Sequence, residues 1–413
     1  MKILFFTENF PPETNAAATR VYERACYWVR WGHDVTVITS APNFPQGRLY
    51  EGYQNKWHQS ETNSGIRVIR VKTFIAPNRG VLFRTLDFLS FMVTGWVAGL
   101  LQEKPDVVVS TSPQFFAAVA GWLTGLVRRV PFVFELGDIW PASIVAVGAM
   151  KPSLPIRLIE KFELYLYRSS ARVVALTPAF KDNLVQRDID PGHIGIVING
   201  VDLPRYSPLE KDAGLQNEWG LKDKFIIGYL GTHGMAHALM NVVEAAEGLK
   251  DNPEIQFLLV GDGAERQQLL EAARSRGLDN IHFMPPQPKE AMPKVWSLCD
   301  VALVHLKNSP VFAEVIPSKM FEAMAMGLPV LLAAPEGEAS RIVTEYSIGL
   351  HVPPEEPGSL TDAVLTFMED KVYYGQCAEN ALNKAPLHSR EKQAEKMIEE
   401  IKKAVGGSDG ISR

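Results

Sequence analysis

Apolar and polar residues follow one another along the chain in two periods, which predict short strands and amphipathic helices in regular alternation. The apolar runs over 2–7 and 34–39 are typical of buried strands, and between them residues 16–31 carry apolar side chains at helical spacing. Further strands of the same kind are predicted over 66–71, 106–110, 132–135, 173–176 and 194–198. Strands that alternate with helices indicate a parallel, doubly wound sheet.

A second alternating set begins after residues 199–224, whose many turn-forming residues predict a linker. Its predicted strands span 225–230, 255–260, 280–283, 301–305 and 329–334. The predicted fold class is therefore α/β, with two Rossmann-like doubly wound domains over 1–198 and 225–385. We expect a last amphipathic helix, over about 386–405, to pack back on the first domain. Since ligands bind at the carboxyl ends of parallel strands, a cleft between two such edges is the expected active site.

Length and composition agree with this organisation. The 413 residues exceed one typical core, and 46% apolar with 22% charged residues describes an ordinary globular protein. The three cysteines, Cys26, Cys299 and Cys377, are far apart and lack metal-binding spacing, so they indicate reduced thiols in a cytoplasmic protein. Residues 1–7 are too short an apolar run for a signal peptide.

Charge is distributed unevenly along the chain. Residues 1–195 hold 21 lysines and arginines against 16 aspartates and glutamates, whereas the remainder holds 21 against 31. The basic first half suggests an anionic partner, and unevenly charged solvated surface explains the asymmetry equally well. Because the basic residues are scattered without aromatic interleaving, nucleic-acid binding is not expected.

The segment 86–101 is unusually apolar, and no charged residue lies between Asp87 and Glu103. This stretch is shorter than the roughly 20 residues needed to cross a bilayer. One interpretation is a core helix that covers the sheet; the other is a helix lying in a membrane interface. The candidate membrane-facing side chains are Phe88, Phe91, Met92 and Trp96, and the basic residues that could hold lipid phosphates are Arg79, Arg84, Arg128 and Arg129.

Residues 314–334 carry the most informative pattern. A loop enters a predicted helix near Pro317, the helix ends at Gly327, and an apolar strand follows. A helix start offers free backbone N–H groups and the positive end of the helix dipole, which suits a phosphate. Glu314 precedes this start and Glu322 lies inside the helix, so two acceptors flank the anion site. This arrangement fits a nucleotide sugar, which has hydroxyls on both sides of its diphosphate.

The stretch 314–330 resembles the donor-site signature of the retaining glycosyltransferases of family GT4, which have the GT-B fold. The resemblance extends over nearly the whole chain through motifs in the same order: Phe10-Pro-Pro-Glu13, Gly32-His-Asp-Val-Thr-Val37, Leu176-Thr-Pro178, Asn199-Gly-Val-Asp202, Tyr229-Leu-Gly231, Val260-Gly-Asp-Gly263 and Cys299-Asp-Val-Ala302. Pro317-Ser-Lys319 and Asp138-Ile-Trp-Pro141 resemble the branch that builds bacterial O-antigen and exopolysaccharide, which includes fucosamine and N-acetylhexosamine transferases.

The resemblance implies roles for individual residues. Glu314 would bind hydroxyls of the transferred sugar and Glu322 the ribose, while the backbone of Ile316, Pro317, Ser318 and Lys319 would cradle the diphosphate. Gly261 would lie near the base. Many members have an arginine and a lysine in the loop that here begins Gly231-Thr232-His233 and has no fixed cation. Lys319 would then supply the missing charge, helped by His233 or His237 when protonated.

The resemblance also implies the chemistry: retention of configuration, an oxocarbenium-like sugar, and neither metal nor cofactor. The expected catalytic residues are Glu314, Lys319 and Asp138. Of these, Asp138 would orient the acceptor hydroxyl or the donor sugar. Asp138 could instead cap the next helix, and Glu135 before it could be a strand's polar end. The acceptor-side candidates that follow the first strand are Glu8, Asn9, Pro12 and Asn15.

Three other classes of protein are alternatives to a glycosyltransferase. A nicotinamide dehydrogenase would need glycines after the first strand, and residues 8–18 contain none. A nucleotide-sugar epimerase and a non-catalytic sugar-nucleotide-binding subunit remain open. The favoured expectation is a transferase on the inner face of the bacterial membrane that uses a UDP-sugar donor, of N-acetylated hexosamine or deoxyhexosamine type, and a polyprenyl-diphosphate-linked saccharide acceptor.

Overall fold

The computed structural model describes residues 1–44, 47–75, 81–142 and 153–406. The chain forms two compact units. The first unit comprises Met1–Ile198 together with the segment from Arg390, and the second comprises Asn199–Ser389. Each unit is described separately below.

The first unit is built on an eight-stranded sheet. Its strands are β1 Lys2–Phe6, β2 Asp34–Ser40, β3 His58–Asn63, β4 Ile66–Val71, β5 Val107–Thr111, β6 Phe132–Leu136, β7 Arg172–Ala175 and β8 Ile194–Ile196. Their order is β3-β4-β2-β1-β5-β6-β7-β8, and every neighbouring pair is parallel except β3 with β4. Its described helices are α1 Ala16–Arg30, α2 Val81–Leu100, α3 Phe115–Arg128, α4 Leu154–Ser169, α5 Pro178–Gln186 and α15 Arg390–Gly406.

The C-terminal helix α15 completes the core of the first unit. Its apolar residues Ala394, Met397 and Ile401 share one buried cluster with strand residues of β1, β2 and β5. The indole N–H of Trp28 donates to the carbonyl of Ala394 at 3.0 Å. The unit therefore needs a segment that follows the whole second unit in sequence.

The second unit is built on a six-stranded, all-parallel sheet. Its strands are β9 Phe225–Leu230, β10 Ile255–Val260, β11 Ile281–Met284, β12 Val301–His305, β13 Val330–Ala333 and β14 Gly349–Val352. Their order is β11-β10-β9-β12-β13-β14. Its helices are α6 Ala213–Glu218, α7 Met240–Gly248, α8 Arg266–Ser275, α9 Met292–Leu298, α10 Pro310–Ala313, α11 Ser318–Ala325, α12 Glu338–Tyr346, α13 Pro357–Glu369 and α14 Lys371–Lys384.

Each sheet has one point at which the strand order reverses direction. In the first sheet this point lies between β1 and β5, and in the second between β9 and β12. Loops that leave adjacent strands on opposite sides of such a point open a crevice at the carboxyl edge of the sheet, where ligands bind. In the second unit, these are the loop after β9 and the loop between β12 and α11. The expected α/β fold with two parallel-sheet domains is confirmed.

The structure differs from the expected boundaries in two places. Residues 199–224, expected as a linker, belong to the second unit and include α6, and Lys211 Nζ pairs with Asp300 at 2.7 Å. Strand β3 was not predicted because its sequence is polar throughout and every second residue is exposed. It lies at the sheet edge and needs no apolar face.

Candidate active site

Helix α11 begins at the carboxyl edge of the second sheet, where the loop after β12 returns. Pro317 is its N-cap residue and no side chain caps it, so its first N–H groups remain available to a ligand. Ile316 before it is buried, and Ser318 opens the first turn. Glu314 is the C-cap residue of α10, four residues before α11 begins. The predicted loop-to-helix junction is therefore present.

Lys319 points from the first turn of α11 to the loop after β9. Its Nζ lies 3.5 Å from the centroid of the Tyr229 ring. This nitrogen is buried and has no hydrogen-bond partner among the described residues. Burial lowers the pKa of Lys319 to about 7, and the carboxylate of Glu322 opposes part of that effect. The structure thus brings the expected lysine to the loop that lacks a fixed cation.

Gly231 and Gly261 allow this close packing. A Cβ on Gly231 would lie 2.7 Å from Lys319 Nζ, and a Cβ on Gly261 would overlap the carbonyl oxygen of Gly231. Both glycines also have φ near +150°, a conformation that other residues rarely adopt. Thr232 between Gly231 and His233 is exposed, and its carbonyl accepts the Tyr229 hydroxyl at 2.8 Å. The donor-side candidates around Gly231 therefore form one cluster.

The two histidines of the loop are not cationic at neutral pH. The His233 side chain is fully buried, and neither ring nitrogen has a hydrogen-bond partner within the described part of the chain. Burial is the main cause that lowers the pKa of His233 to about 4 and that of His237 to about 3. These lowered pKa values disfavour the expectation that protonated histidines supply positive charge. Lys319 is the cation candidate that remains.

Glu322 has a neighbour that the sequence did not reveal. The buried Trp296 of α9 donates its indole N–H to Glu322 Oε2 at 3.2 Å. Glu322 itself is partly exposed. The Trp296 side chain therefore orients the carboxylate. Sequence spacing offers no signal for this contact, since the two residues lie on different helices.

In the first unit, several acceptor-side candidates form hydrogen bonds with neighbouring residues of their own loop. The Asn15 side chain caps α1 by accepting from the N–H of Ala18 at 2.9 Å, and Pro12 follows a cis peptide bond. Asn9 donates its side-chain amide to Glu13 at 3.0 Å. Glu13 in turn accepts the N–H groups of residues 43 and 44. These contacts favour a structural role for Asn9 and Asn15.

Glu8 differs from these neighbours. It is 5% exposed, and burial together with the nearby carboxyl group of Asp87 raises its pKa well above the usual range. Burial likewise raises the pKa of Asp87 to about 6. Asp87 lies on α2, beside the end of β1. The electrostatic interaction between these two carboxyl groups could not be predicted from their distant positions in the sequence.

Asp138 and Glu135 follow each other closely but lie in different surroundings. Asp138 is partly exposed just past β6, and its backbone N–H donates to Ser112 Oγ at 3.3 Å. The helix that it would cap falls outside the described residues. Glu135 is buried and pairs with Arg24 and with Arg20, the latter at 3.2 Å. Glu135 is therefore a structural ion-pair residue within β6, which agrees with its interpretation as the polar end of a strand.

The apolar helix α2 exposes other residues than expected. Phe91 is 1% exposed and packs inside the first unit, while Phe88, Met92 and Trp96 are half-buried. The prediction that Phe91 faces a membrane is wrong because its position on the helix faces the sheet. The exposed apolar side chains of this region are Phe83, Leu86, Val93, Val97 and Leu101.

The described residues contain no group of three or more histidine, cysteine, aspartate or glutamate side chains arranged to hold a metal ion. None of their helices combines the length and the apolar character that crossing a membrane requires.

Each half of the chain matches a glycosyl transferase family. Residues 15–200 match the family described as Glycosyl transferase 4-like domain, and residues 215–384 match Glycosyl transferases group 1. The chain is 28% identical over 343 residues to the putative colanic acid biosynthesis glycosyl transferase WcaI of Escherichia coli K12, covering 81% of this chain and 83% of that protein.

Two further likenesses extend over nearly the full length. The GDP-mannose-dependent alpha-mannosyltransferase of Mycobacterium tuberculosis is 25% identical over 92% of both chains. The crystal structure of Anabaena Alr3699/HepE in complex with UDP and glucose superposes with a TM-score of 0.74 at 19% identity, covering 97% of this chain and 99% of that one. The structural likeness supports the fold that the strand order already shows.

Proposed function

We propose that the chain transfers a sugar from a UDP-sugar to a lipid-linked saccharide with retention of configuration, because each half of it matches a glycosyl transferase family. The observation that carries this proposal is the arrangement of Lys319 in the first turn of α11, against Gly231 and Tyr229. A cation, a helix start and a glycine that lets the backbone approach form a site for a diphosphate.

The proposed chemistry depends on charge stabilisation. When the bond between sugar and diphosphate breaks, negative charge develops on the leaving oxygen. Groups aimed in advance at developing charge are usually the largest catalytic contribution. The N–H groups at the start of α11 and the Lys319 ammonium would stabilise that charge, while Glu314 would hold hydroxyls of the sugar and Glu322 the ribose. Asp138 would orient the acceptor hydroxyl.

The donor and the acceptor are proposed from different observations. The Anabaena protein was crystallised with UDP and glucose, which supports a UDP-linked donor, whereas the mycobacterial relative is named for GDP-mannose. The name of the Escherichia coli relative refers to colanic acid, a polysaccharide. It supports a role in polysaccharide synthesis, for which we propose a polyprenyl-diphosphate-linked acceptor. We propose an N-acetylated hexosamine or deoxyhexosamine as the transferred sugar.

The exposed apolar side chains of α2 support a peripheral site on the inner face of the membrane. Val93 and Val97 are 52% and 47% exposed and lie one turn apart. Arg84 earlier on the helix and Arg129 after α3 are exposed as well. Apolar side chains flanked by basic residues suit the interface of an anionic bilayer.

Release of nucleoside diphosphate from a panel of UDP- and GDP-sugars tests the proposal. The assay is run with EDTA, with and without a polyprenyl-diphosphate-linked saccharide, for the unchanged protein and for Glu314→Ala. We expect acceptor-stimulated release from one donor, and a loss of about 100-fold or more in Glu314→Ala. The matched control is Glu336→Ala, an exposed glutamate of the same unit, which should retain the rate.

The other outcomes would indicate a different protein class or contradict one part of the proposal. Conversion of the sugar nucleotide without an acceptor would indicate an epimerase. Binding without any turnover would indicate a sugar-nucleotide-binding subunit. An equal rate in Glu314→Ala would remove this residue from the reaction, and loss of activity in EDTA would contradict metal independence.

A further inference from the structure

The ammonium group that the proposed reaction needs lies in a place that disfavours its charge. Lys319 Nζ is buried, has no hydrogen-bond partner among the residues that the structure describes, and touches the face of the Tyr229 ring at 3.5 Å. An aromatic face attracts a cation when both are removed from water. That attraction is smaller than the cost of burying an ion, so the ring alone does not offset it.

The surrounding groups do not supply the missing negative charge. The titratable groups that face Lys319 are Glu322 from its own helix, Tyr229 from β9, His233 and His237 from the following loop, and His305 from β12. The one carboxylate in this set, Glu322, accepts a hydrogen bond from Trp296. The three histidines are each depressed in pKa, mainly by burial, and are neutral near pH 7.

We propose that Lys319 is largely an uncharged amine above neutral pH before the donor binds, and that it takes up a proton when the diphosphate of the donor arrives. The inference deepens the proposed function and depends on it. A diphosphate beside Nζ supplies an anionic partner for the amine, so the ammonium form becomes the favoured one. Binding is then coupled to uptake of a proton from solution, which forms the third N–H bond of the ammonium group.

The direction of the pH dependence follows from this coupling. Since the pKa of Lys319 is about 7 without ligand, roughly nine-tenths of the amine is unprotonated at pH 8. If the bound form remains protonated throughout, the donor Kd rises about tenfold between pH 8 and pH 9. A lysine that stays charged in both states would give no such slope.

Titration calorimetry with UDP-glucose and GDP-mannose, in two buffers of different ionisation enthalpy at pH 8, measures the proton count. We expect close to one proton taken up with the sugar nucleotide that binds. Lys319→Arg should bind without uptake because guanidinium stays charged, and Lys319→Met should bind more weakly, also without uptake. Lys250→Met, an exposed lysine of the same unit, should leave the uptake unchanged. Uptake that persists in Lys319→Met would assign the proton elsewhere and overturn the proposal.

A ligand-free measurement separates this inference from the proposed function. In protein labelled with 13C at lysine Cε, one resonance should titrate near pH 7 and be absent from Lys319→Met. A Lys319 resonance that titrates near 10 overturns the proposal directly. If neither sugar nucleotide binds while the resonance still titrates near 7, the proposed donor class and the coupled uptake fail, and the uncharged amine stands.

Discussion

The hydrogen bond from Trp296 to Glu322 joins two helices, and a single substitution can test its importance. The Trp296→Phe variant keeps an aromatic ring in the core and removes the indole N–H that reaches Glu322 at 3.2 Å. Because a hydrogen bond to a charged group contributes about 1.5–3 kcal/mol, we expect the donor KM to rise about tenfold with little change in kcat. Steady-state kinetics with varied donor measures this.

The control for that variant is Trp219→Phe. Trp219 follows α6 and is half-buried in the same unit. It should leave the donor KM unchanged. A normal KM in Trp296→Phe would show that Glu322 needs no orientation by the indole.

Asp87 allows a prediction on stability. Its carboxyl has a pKa of about 6 in the folded protein, against 3.8 for the unperturbed group. The folded chain therefore keeps a proton that the unfolded chain has lost, so stability falls as pH rises from about 4 to about 6. Removing the charge with Asp87→Asn should raise the free energy of unfolding. We expect the gain to be about 2 kcal/mol larger at pH 7.5 than at pH 4.5.

Urea unfolding at the two pH values measures the difference, followed through the first unit. Asp182→Asn removes an exposed carboxylate from α5 and serves as the control, with no change expected at either pH. If Asp87→Asn gives the same gain at both values, the carboxyl of Asp87 is not buried as the structure has it.

At the scale of single residues, the sequence predicted the site residues that lie in one short stretch. It missed the residues that the fold brings to the same site from other elements. Glu314, Pro317 and Lys319 are close in sequence, so a helix start with flanking carboxylates could be read directly. Trp296 and Tyr229 reach the same site from other elements, and no spacing rule connects them to it. The pairing of Glu8 with Asp87 was missed for the same reason.

Among the elements, α1 is attached to the sheet by charged side chains as well as apolar ones. Arg20 and Arg24 of α1 surround Glu135 of β6, and all three are buried. Burial raises the pKa of Glu135, and the two guanidinium groups outweigh that effect and lower it. Glu135→Gln would leave two buried arginines without their anion, which should cost about 3–5 kcal/mol of stability.

Chemical denaturation compares this variant with Glu103→Gln. Glu103 forms an exposed pair with Lys2, and such pairs contribute little, so its midpoint should match the unchanged protein. An equal midpoint for Glu135→Gln would show that the cluster adds no net stability.

The hydrophobic pattern predicted the elements well where a strand is a continuous buried apolar run or a helix has one apolar face. Strands β1, β2 and β9 and helix α1 begin and end within about a residue of the expected positions. Strand β3 and helix α6 were missed because neither carries an apolar stripe. The exposed face of α2 could not be assigned either, since a helix that is apolar all round does not show which side meets the sheet.

For the whole molecule, the first unit depends on its last helix. Arg390 Nε pairs with Glu23 at 2.8 Å, and both side chains are buried. A variant that ends at Ser389 should therefore lose the compact first unit and keep the second. Limited proteolysis with mass spectrometry should show rapid cleavage within 1–198 and survival of 199–389.

Adding a peptide of residues 390–406 provides the control, since it should restore resistance in the first unit. Equal resistance with and without that peptide would mean that α15 adds nothing to the first unit's stability. The general plan of two α/β domains could be predicted from the order of elements. The boundary at 199 could not, because turn-forming residues look alike in a linker and in a packed loop.

The position of α15 has a consequence during synthesis. The second unit is continuous in sequence, so the ribosome delivers all of its parts before the first unit receives its final helix. At about 5–20 residues per second, α15 is synthesised on the order of 10 to 40 seconds after β8. Until then the apolar side of α1 and the end of β8 lack the helix that covers them. During that interval the nascent first unit exposes a groove that other chains can enter, so dependence on chaperones should be greatest before residue 390 emerges.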